Sequence, residues 1–296
     1  MANPRQIVKR RKAVTNIRKI TKTMQLIATA RFQAAYNRAT AGRPYTEKIT
    51  QLVEELSSVA EGQIDHPLMN ANPEAEKDAL LVITSNRGLC AGYNTNVLAA
   101  ALNHLKANAS RPHETTVVGK KGIAYFKFLR RKIDHPITTI DDRPRFEQVE
   151  PIATELMRRY EDGEFGNVRV AYMRFISTGR QVSEVLRLLP IAKPEGSDES
   201  GKESDKPGGT IAQYEFSPEP ADLLKVLLPQ TVKVRLYQCF TDAAVSEQVA
   251  RMVAMKAATD AAGDMIKTLT RKYNRARQTQ ITMELLDIVG GSEGLN

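Results

Sequence analysis

The sequence is poor in the residues that mark several large classes of protein. It has no tryptophan, 6% aromatic residues in all, and two cysteines. No stretch approaches 18 consecutive apolar residues, so no segment is predicted to span a bilayer by itself. Cys90 and Cys239 are far apart in a chain without a secretory hydrophobic region, which indicates buried, reduced thiols in a cytosolic compartment. A disulfide scaffold and an integral membrane protein are therefore not expected.

Acidic residues are absent from the first 46 positions, which carry eleven Lys and Arg. Without this basic arm the chain would have 32 basic and 34 acidic residues, so the formal charge would fall from +9 to −2. The positive charge is therefore local, and it is suited to meet an acidic partner. Two partners remain open at this point: an acidic protein surface, or nucleic acid. The arm has only Phe32 and Tyr36 as aromatics, so it offers no stacking platform for bases.

Motifs for catalysis, metal binding and nucleotide binding are also missing. The four histidines have no metal-ligand spacing, and neither HExxH nor GxSxG occurs. The segment Ser85 to Asn94 (SNRGLCAGYN) has neither the phosphate-loop nor the dinucleotide-binding spacing of glycines. We interpret it as a tight strand-to-helix turn in which Gly88 and Gly92 let the backbone bend. We expect no catalytic residue, no cofactor and no metal, although a dinucleotide-dependent α/β enzyme is the second alternative.

Small and apolar residues recur at every seventh position through the basic arm and beyond it. The first row is Ile7, Val14, Thr21, Ala28, Ala35, Gly42, Ile49 and Leu56. The second row is expected three residues later, at Arg10, Ile17, Met24, Arg31, Arg38, Tyr45, Leu52 and Val59. A sustained repeat of this kind predicts a left-handed supercoil with another helix. Gly42 and Pro44 are expected to bend or loosen the helix.

A second long helix with the same spacing is predicted near the other end of the chain. Its seam is Val245, Met252, Met255, Ala262, Ile266, Leu269, Tyr273, Ala276 and Met283. Gly263 inside it suggests a close helix crossing, and Gly290 with Gly291 is expected to end it. The two helices are therefore predicted to pair antiparallel within the chain.

Between the helices the pattern changes to alternating strands and helices, which is typical of an open α/β sheet. Four strands are predicted, near residues 79–84, 115–118, 168–176 and 185–191. The predicted fold is an antiparallel left-handed coiled coil of N- and C-terminal helices with a central Rossmann-like open α/β domain. Its expected parts are an N-terminal helix (1–60), an α/β domain (76–217) with a flexible insertion (193–210), and a C-terminal helix (218–296).

Three segments together resemble the gamma subunit of F-type ATP synthase, the central rotor shaft of F1. The first is Ile17 to Arg31, IRKITKTMQLIATAR, similar to the family's KITKAMEMVAASK. The second is Ser85 to Asn94, similar to SDRGLCGGLN, with Asn86 and Ala91 in place of Asp and Gly. The third is the end of the chain, SEQVARMVAMKAATD and YNRARQTQITMELLDIV. The resemblance covers essentially the whole chain, with 193–210 as an apparent insertion.

The resemblance implies which residues meet partners. Lys19, Lys22 and Met24 match positions that face the acidic lever segment of beta. Arg251, Gln278 and Thr282 match polar positions that contact the alpha/beta ring. Tyr214 and Phe216 match the segment that touches the c ring and epsilon, although Ser217 stands where relatives often have an acid. The apolar end from Met283 to Val289 is expected to sit in the upper bearing of the ring.

The resemblance also implies a function. A chain of this family makes no bond itself and is a noncatalytic subunit of the proton-translocating ATP synthase. It transmits torque from the proton-driven c ring to the catalytic beta subunits. Its expected partners are the ring of three alpha and three beta subunits, epsilon and the c ring, without nucleic acid, and it meets the membrane only through them. The expected location is peripheral, on the cytoplasmic side of the bacterial inner membrane.

Overall fold

A computed structural model describes residues 4–59, 66–191 and 220–293 of the chain. The five α-helices of these ranges are α1 (Pro4–Val59), α2 (Tyr93–Ala107), α3 (Lys120–Phe128), α4 (Phe146–Glu161) and α5 (Pro220–Glu293). The strands are β1 (Lys77–Ile83), β2 (His113–Val118), β3 (His135–Ile137), β4 (Phe165–Ser177) and β5 (Arg180–Leu189). A short 3₁₀ helix spans Pro67–Met69. The predicted insertion 193–210, Tyr214 and Phe216 lie outside the described residues.

The described residues form two compact units. The helix-pair unit comprises residues 4–31, 89–91 and 248–293, and the sheet unit comprises 32–59, 66–88, 92–191 and 220–247. The boundary between the units falls inside both α1 and α5. Each long helix therefore contributes one part of its length to each unit.

The sheet unit is built on five strands in the order β3-β2-β1-β4-β5. β1 pairs in parallel with β2 and β4, β2 pairs in parallel with β3, and β4 pairs antiparallel with β5. This confirms the predicted open α/β sheet. The sequence did not reveal β3, because its three residues include Pro136 and none of them is fully buried, so no apolar run marks it.

The core of the sheet unit includes residues from both terminal helices. Leu81, Phe165 and Tyr160 are almost completely buried at its centre. Val53 and Leu56 of α1 join it from one end of the sequence. From the other end, α5 contributes Leu224, Leu228, Val232 and Leu236. The inner ends of both long helices are thus part of the hydrophobic core around the sheet.

In the helix-pair unit, α1 and α5 run antiparallel. Arg11 lies over the ring of Tyr273 with its guanidinium carbon 5.5 Å from the centroid. Further along α1, the Thr259 hydroxyl donates to the Thr21 hydroxyl at 2.8 Å. Residue numbers therefore increase along α1 as they decrease along the facing part of α5, which confirms the predicted antiparallel pairing. One apolar cluster of this unit consists of Ile7, Val14, Ala262 and Leu269, and Ala28, Val249 and Met255 are buried as well.

The first predicted seam row on α1 is confirmed, and the second is wrong at four of its members, while Met24, Arg31 and Leu52 are half-buried. Every member of the first row is buried except Gly42, which is half-buried. In the second row, Arg10, Ile17, Arg38 and Tyr45 are exposed, whereas Ala39 and Val53, each four residues after a member of the first row, are buried. A row with a seven-residue period is compatible with a second row at either spacing, and only the facing helix decides between them.

Two expectations about glycine in the long helices are corrected. The helix assignment of α1 continues through Gly42 and Pro44, and the bend expected there stays a prediction. α5 likewise continues past Gly290 and Gly291 to Glu293, because glycine costs only about 1 kcal/mol in a helix and is a weak stop signal. A Cβ at Gly263 would lie 3.7 Å from Arg18 Nε, an ordinary contact, so no close crossing requires this glycine.

Candidate functional site

Exposed apolar side chains lie among cations on α1 within the helix-pair unit. Ile17, Ile20, Leu26 and Ile27 are each between 48% and 59% exposed. Arg18, Lys19 and Lys22 are exposed beside them in the sequence. Of these four apolar residues, Ile17 was assigned to the seam, and the other three were not singled out. These residues are apolar but do not belong to the confirmed row of every seventh residue. That mismatch is the sequence signal that could have identified them. These side chains expose apolar area on more than one side of this part of α1, because Ile17 and Leu26 are nine residues apart and lie on nearly opposite faces of the helix.

The charge on this part of α1 has one sign. Residues 4–31 carry nine Lys and Arg and no acidic residue. In the same unit, residues 248–293 of α5 carry seven basic and five acidic residues. The surface around Ile17 to Ile27 therefore combines apolar side chains with unbalanced positive charge, as expected for contact with an acidic and partly apolar partner surface.

The predicted residues on α1 lie close together in the sequence but differ in exposure. Lys19 and Lys22 are exposed, and neither has an ion pair within the described part of the chain. Lys22 Nζ is 3.4 Å from Gln25 Oε1. Met24 is half-buried, so it packs within the chain on one side and remains accessible on the other. These three side chains accordingly offer two cations and one thioether to a partner.

The predicted residues on α5 fall into two environments. Gln278 and Thr282 are exposed one helical turn apart, and the Thr282 hydroxyl donates to the main-chain oxygen of Gln278 at 2.9 Å. Arg251 is only 8% exposed and interacts within the chain. Thus Gln278 and Thr282 are directly available for contact in this structure, whereas most of Arg251 is covered.

The end of α5 is apolar and exposed. Ile281, Met283, Leu285, Leu286 and Ile288 are all between 46% and 73% exposed. Met283 was predicted in the seam, and that assignment is wrong for the chain by itself. A groove of about 930 Å³ lies between the start of α1 and this part of α5, lined among others by Ile7, Arg10, Leu269 and Met283. Apolar surface of this extent on a water-facing helix is typical of an interface.

The turn after β1 has the geometry of a structural turn. The residues with positive φ are Leu89 (63°) and Ala91 (46°), not Gly88 and Gly92 as the sequence suggested. The glycine that the fold does require is Gly119, with φ of 95°, where a Cβ would lie 2.3 Å from Thr84 O. No apolar or motif pattern in the sequence marked this position.

Near this turn, side-chain oxygens already accept the hydrogen bonds of main-chain amides that a nucleotide phosphate would need. The Ser85 amide donates to Asn94 Oδ1 at 3.0 Å, and the Lys120 amide donates to Asn86 Oδ1 at 3.1 Å. The Gly122 amide donates to Thr84 Oγ1 at 3.0 Å. Phosphate-binding turns instead leave such N–H groups free to point at the ligand. This geometry argues against the dinucleotide-dependent alternative.

The two thiols are buried, as predicted. Cys90 is 2% exposed and Cys239 is 3% exposed. Burial raises the pKa of the Cys239 thiol to about 12, so the reactive thiolate is disfavoured. Among the residues that the structure describes, no group of three or more His, Cys, Asp or Glu side chains is placed to hold a metal ion.

A search of the described helices for membrane-spanning segments found none that is both long and apolar enough to cross a bilayer.

Comparison with known sequences gives matches along the full chain. The protein-family profile described as ATP synthase matches residues 3–295. The ATP synthase gamma chain of Rhodopirellula baltica is 45% identical over 100% of this chain and 99% of its own length. That of Leptospira biflexa is 37% identical over the whole of both chains. The similarity therefore includes the helices, the sheet and the segments that the structure does not describe.

Solved structures agree on the fold. A chain in the OSCP/F1/c-ring structure of the Euglena gracilis mitochondrial ATP synthase is 18% identical, with a TM-score of 0.65 over 99% of this chain and 94% of that one. A chain in the central stalk/c-ring structure of the Tetrahymena thermophila enzyme is 20% identical, with a TM-score of 0.59 over 81% and 99%. With relatives this close over its full length, the chain belongs to the ATP synthase gamma chains, the noncatalytic central-stalk rotor subunits of F1.

Proposed function

We propose that the chain transmits torque from a proton-driven c ring to the catalytic beta subunits of a ring of three alpha and three beta chains. The observation that carries this proposal is the uncovered surface of the helix-pair unit. Ile17, Ile20, Leu26 and Ile27 are exposed on a helix segment with nine cations and no acid. Such a surface requires a partner that is both apolar and acidic.

The ring contacts are assigned to named residues. Lys19, Lys22 and Met24 meet the acidic lever segment of beta, supported by the exposure of both lysines and the half-buried thioether. Gln278 and Thr282 make polar contacts from α5, supported by their position one turn apart on an exposed part of the helix. Arg251 becomes accessible to the ring only through a side-chain rearrangement, because it is largely covered in the chain alone.

The exposed apolar end of α5 is assigned to a contact with the upper bearing of the ring. Leu285, Leu286 and Ile288 are each more than half exposed. A helix end that is apolar on several sides is stable in water only when a sleeve of other chains surrounds it. The upper part of the alpha/beta ring supplies that sleeve in this proposal.

The other end of the rotor meets the membrane through partners. Tyr214 and Phe216 are proposed contacts with the c ring and epsilon, and they lie outside the described residues. Support comes from the similar chains found in solved assemblies that contain a c ring. We therefore propose that in a bacterium the chain is a peripheral subunit on the cytoplasmic side of the inner membrane.

In thermodynamic terms the rotor acts as a ligand of the ring. Its charged and apolar side chains lie on particular sides of the helices, so each beta subunit meets a different surface at a given angle. A ligand shifts a conformational equilibrium only by its difference in affinity for the two states. Rotation therefore biases the three catalytic sites differently and in turn.

The test is a charge reversal at the lever contact in the reconstituted complex. Lys22→Glu and Met24→Lys are assembled with alpha, beta, epsilon and the membrane sector, and ATP hydrolysis and proton pumping are measured on the same vesicles. We expect fewer protons pumped per ATP hydrolysed, because the contact between rotor and beta is altered. Assembly is checked by co-purification of three alpha and three beta chains with each gamma chain.

Lys48→Glu is the matched control. Lys48 is an exposed cation on the same helix, but it belongs to the sheet unit and is outside the proposed contacts. It is expected to leave the ratio of protons to ATP unchanged. An unchanged ratio in both lever variants, with normal assembly, would contradict the assignment of the lever contact.

A further inference from the structure

A second basic feature of the molecule lies in the sheet unit, far along the sequence from the arm. A pocket of about 430 Å³ opens beside the start of β2, between the end of α2 and the end of α3. Five of its nine lining residues are Lys, Arg or His, and none is acidic. They are Lys106, Arg111, His113, Arg131 and Lys132, set around an apolar floor that includes Leu105 and Phe126. We refer to it as the basic pocket.

Only part of its positive charge is balanced from within the chain. Arg111 Nη1 is 3.5 Å from Asp78 Oδ1, and Lys132 Nζ is 2.6 Å from Asp134 Oδ1. Lys106 and Arg131 have no ion pair within the part of the chain that the structure describes. Two of the four Lys and Arg charges around the pocket therefore remain uncompensated.

His113 also lines the pocket, and it has a buried nitrogen without a hydrogen-bond partner among the described residues. Its Nδ1 is 2.9 Å from the main-chain oxygen of Arg111, which only accepts, so Nδ1 carries a proton and donates. Its Nε2 is buried and has no hydrogen-bond partner among the described residues. The ring of His104 lies edge-on nearby, with the centroids 5.6 Å apart. A buried polar atom without a partner is unusual in a folded protein, and a bound ligand is one explanation for it.

We propose that the basic pocket binds a phosphate group that carries two negative charges. Two uncompensated cations match a dianion, as phosphate and phosphate monoesters are near neutral pH. Arg131 and Lys106 supply charged donors. With Nδ1 donating to Arg111 O, Nε2 of His113 is the acceptor nitrogen of the ring, so it accepts from the hydroxyl of hydrogen phosphate. A lipid phosphodiester offers the same chemistry with one charge, so a membrane headgroup is the competing source. This site does not depend on the rotor function proposed above.

The first experiment measures binding of inorganic phosphate and pyrophosphate to the full chain by isothermal titration calorimetry at constant ionic strength. Lys106→Gln with Arg131→Gln is expected to weaken binding by about tenfold or more, the size of one or two charge-assisted hydrogen bonds. Lys127→Gln with Arg130→Gln is the matched control, because it removes two exposed cations near the same helix end that do not line the pocket. Equal losses of phosphate affinity in the two double variants would show general electrostatic attraction to surface cations. That result would overturn the proposed site.

A second variant separates the pocket from surface charge. His113→Asn keeps a donor at the δ position for Arg111 O and deletes Nε2. It is expected to weaken phosphate binding severalfold while leaving the circular dichroism spectrum unchanged. Unchanged affinity in a folded His113→Asn chain would contradict the role of Nε2.

The source of the phosphate is tested with vesicles. Co-sedimentation with phosphatidylglycerol and with phosphatidylcholine vesicles is compared for the parent chain and for Lys106→Gln with Arg131→Gln. We expect vesicle binding, if present, to be the same for both chains. Loss of phosphatidylglycerol binding in the variant, together with no binding of free phosphate by the parent, would overturn the dianion proposal in favour of a lipid headgroup.

Discussion

The two compact units bury apolar side chains to very different degrees. In the sheet unit, Leu81, Phe165 and Tyr160 are 1% exposed or less, within a continuous core that also holds parts of α1 and α5. In the helix-pair unit, the cluster of Ile7, Val14, Ala262 and Leu269 has side chains that are each 7% or 8% exposed, and Ile20 and Leu26 on α1 are 59% exposed. The sheet unit therefore buries its own apolar surface, whereas the helix-pair unit leaves much of its apolar surface exposed to water.

Geometry explains this difference. A sheet flanked by helices encloses side chains on two faces, so a large core forms within one unit. Two helices enclose only the narrow seam between them, and the remaining faces stay open. Apolar residues on those open faces contribute less to folding of the chain alone than fully buried ones. Their remaining exposed area is available for association with a partner.

The largest expected effect comes from breaking the core of the sheet unit. Leu81 lies on β1, the central strand of the sheet, and Leu81→Ala should lower the free energy of unfolding by roughly 2–5 kcal/mol through lost burial and a cavity. Urea denaturation of the full chain, followed by near-ultraviolet circular dichroism of the buried tyrosines, measures it. Leu285→Ala, at an exposed leucine of the helix-pair unit, is the control and should change the same quantity by less than about 0.5 kcal/mol. Similar losses in the two variants would contradict the contrast between the units.

A smaller effect comes from the ion network at the edge of the sheet unit. Glu114 Oε2 accepts from Arg159 Nη2 and from Lys77 Nζ, each at 2.8 Å. The bond from Arg159 is the main cause that holds the pKa of Glu114 at about 2, below its ordinary 4.5. Because the pKa is lower in the folded chain, this stabilisation is fully present above pH 4.5 and is lost as the pH falls toward 2. The loss should be on the order of 3 kcal/mol.

Glu114→Gln tests this assignment, because the variant cannot titrate at that position. Its free energy of unfolding, measured in urea between pH 2 and pH 6, should be lower than that of the parent at pH 6 and should change less across the range. Glu155→Gln is the matched control, since Glu155 pairs with Arg158 where both side chains are more than half exposed. A parent chain whose stability is flat from pH 4.5 down to 2 would disprove the role of Glu114.

The smallest effect on the isolated chain is expected at the uncovered surface of the helix-pair unit. Ile20→Ala should change the free energy of unfolding by less than about 0.5 kcal/mol, because the side chain is already 59% exposed. In the ring it should weaken association by about 1 kcal/mol or more, measured as the dissociation constant of the chain for the alpha/beta ring. Val14→Ala, in the buried row, should instead cost roughly 1.5 kcal/mol of stability from two buried carbon atoms. A larger loss of stability in Ile20→Ala than in Val14→Ala would show that Ile20 is part of the core.

Particular residues show how much of the structure could be predicted from the sequence. The rows at every seventh residue predicted both long helices and their antiparallel pairing, and the apolar runs near residues 79–84 and 168–176 predicted β1 and β4. The three-residue β3 escaped detection, because it has no apolar run of its own. The proposed contact residues on α1 come from the resemblance to a family, whereas the exposure of Ile20 and Leu26 became visible only with their surroundings.

The sequence by itself determined which elements form, because helix and strand periodicities and the one-signed charge of the first 46 residues are local properties of the chain. Tertiary structure alone decided which residues of each element are covered. It buried Ala39 and Val53 and left Ile17 and Tyr45 in water, since the packing of neighbouring elements selects between spacings that the repeat allows equally. It also required Gly119, where the main chain of Thr84 leaves no room for a Cβ. Burial depends on neighbours that are distant in sequence, and no local pattern specifies them.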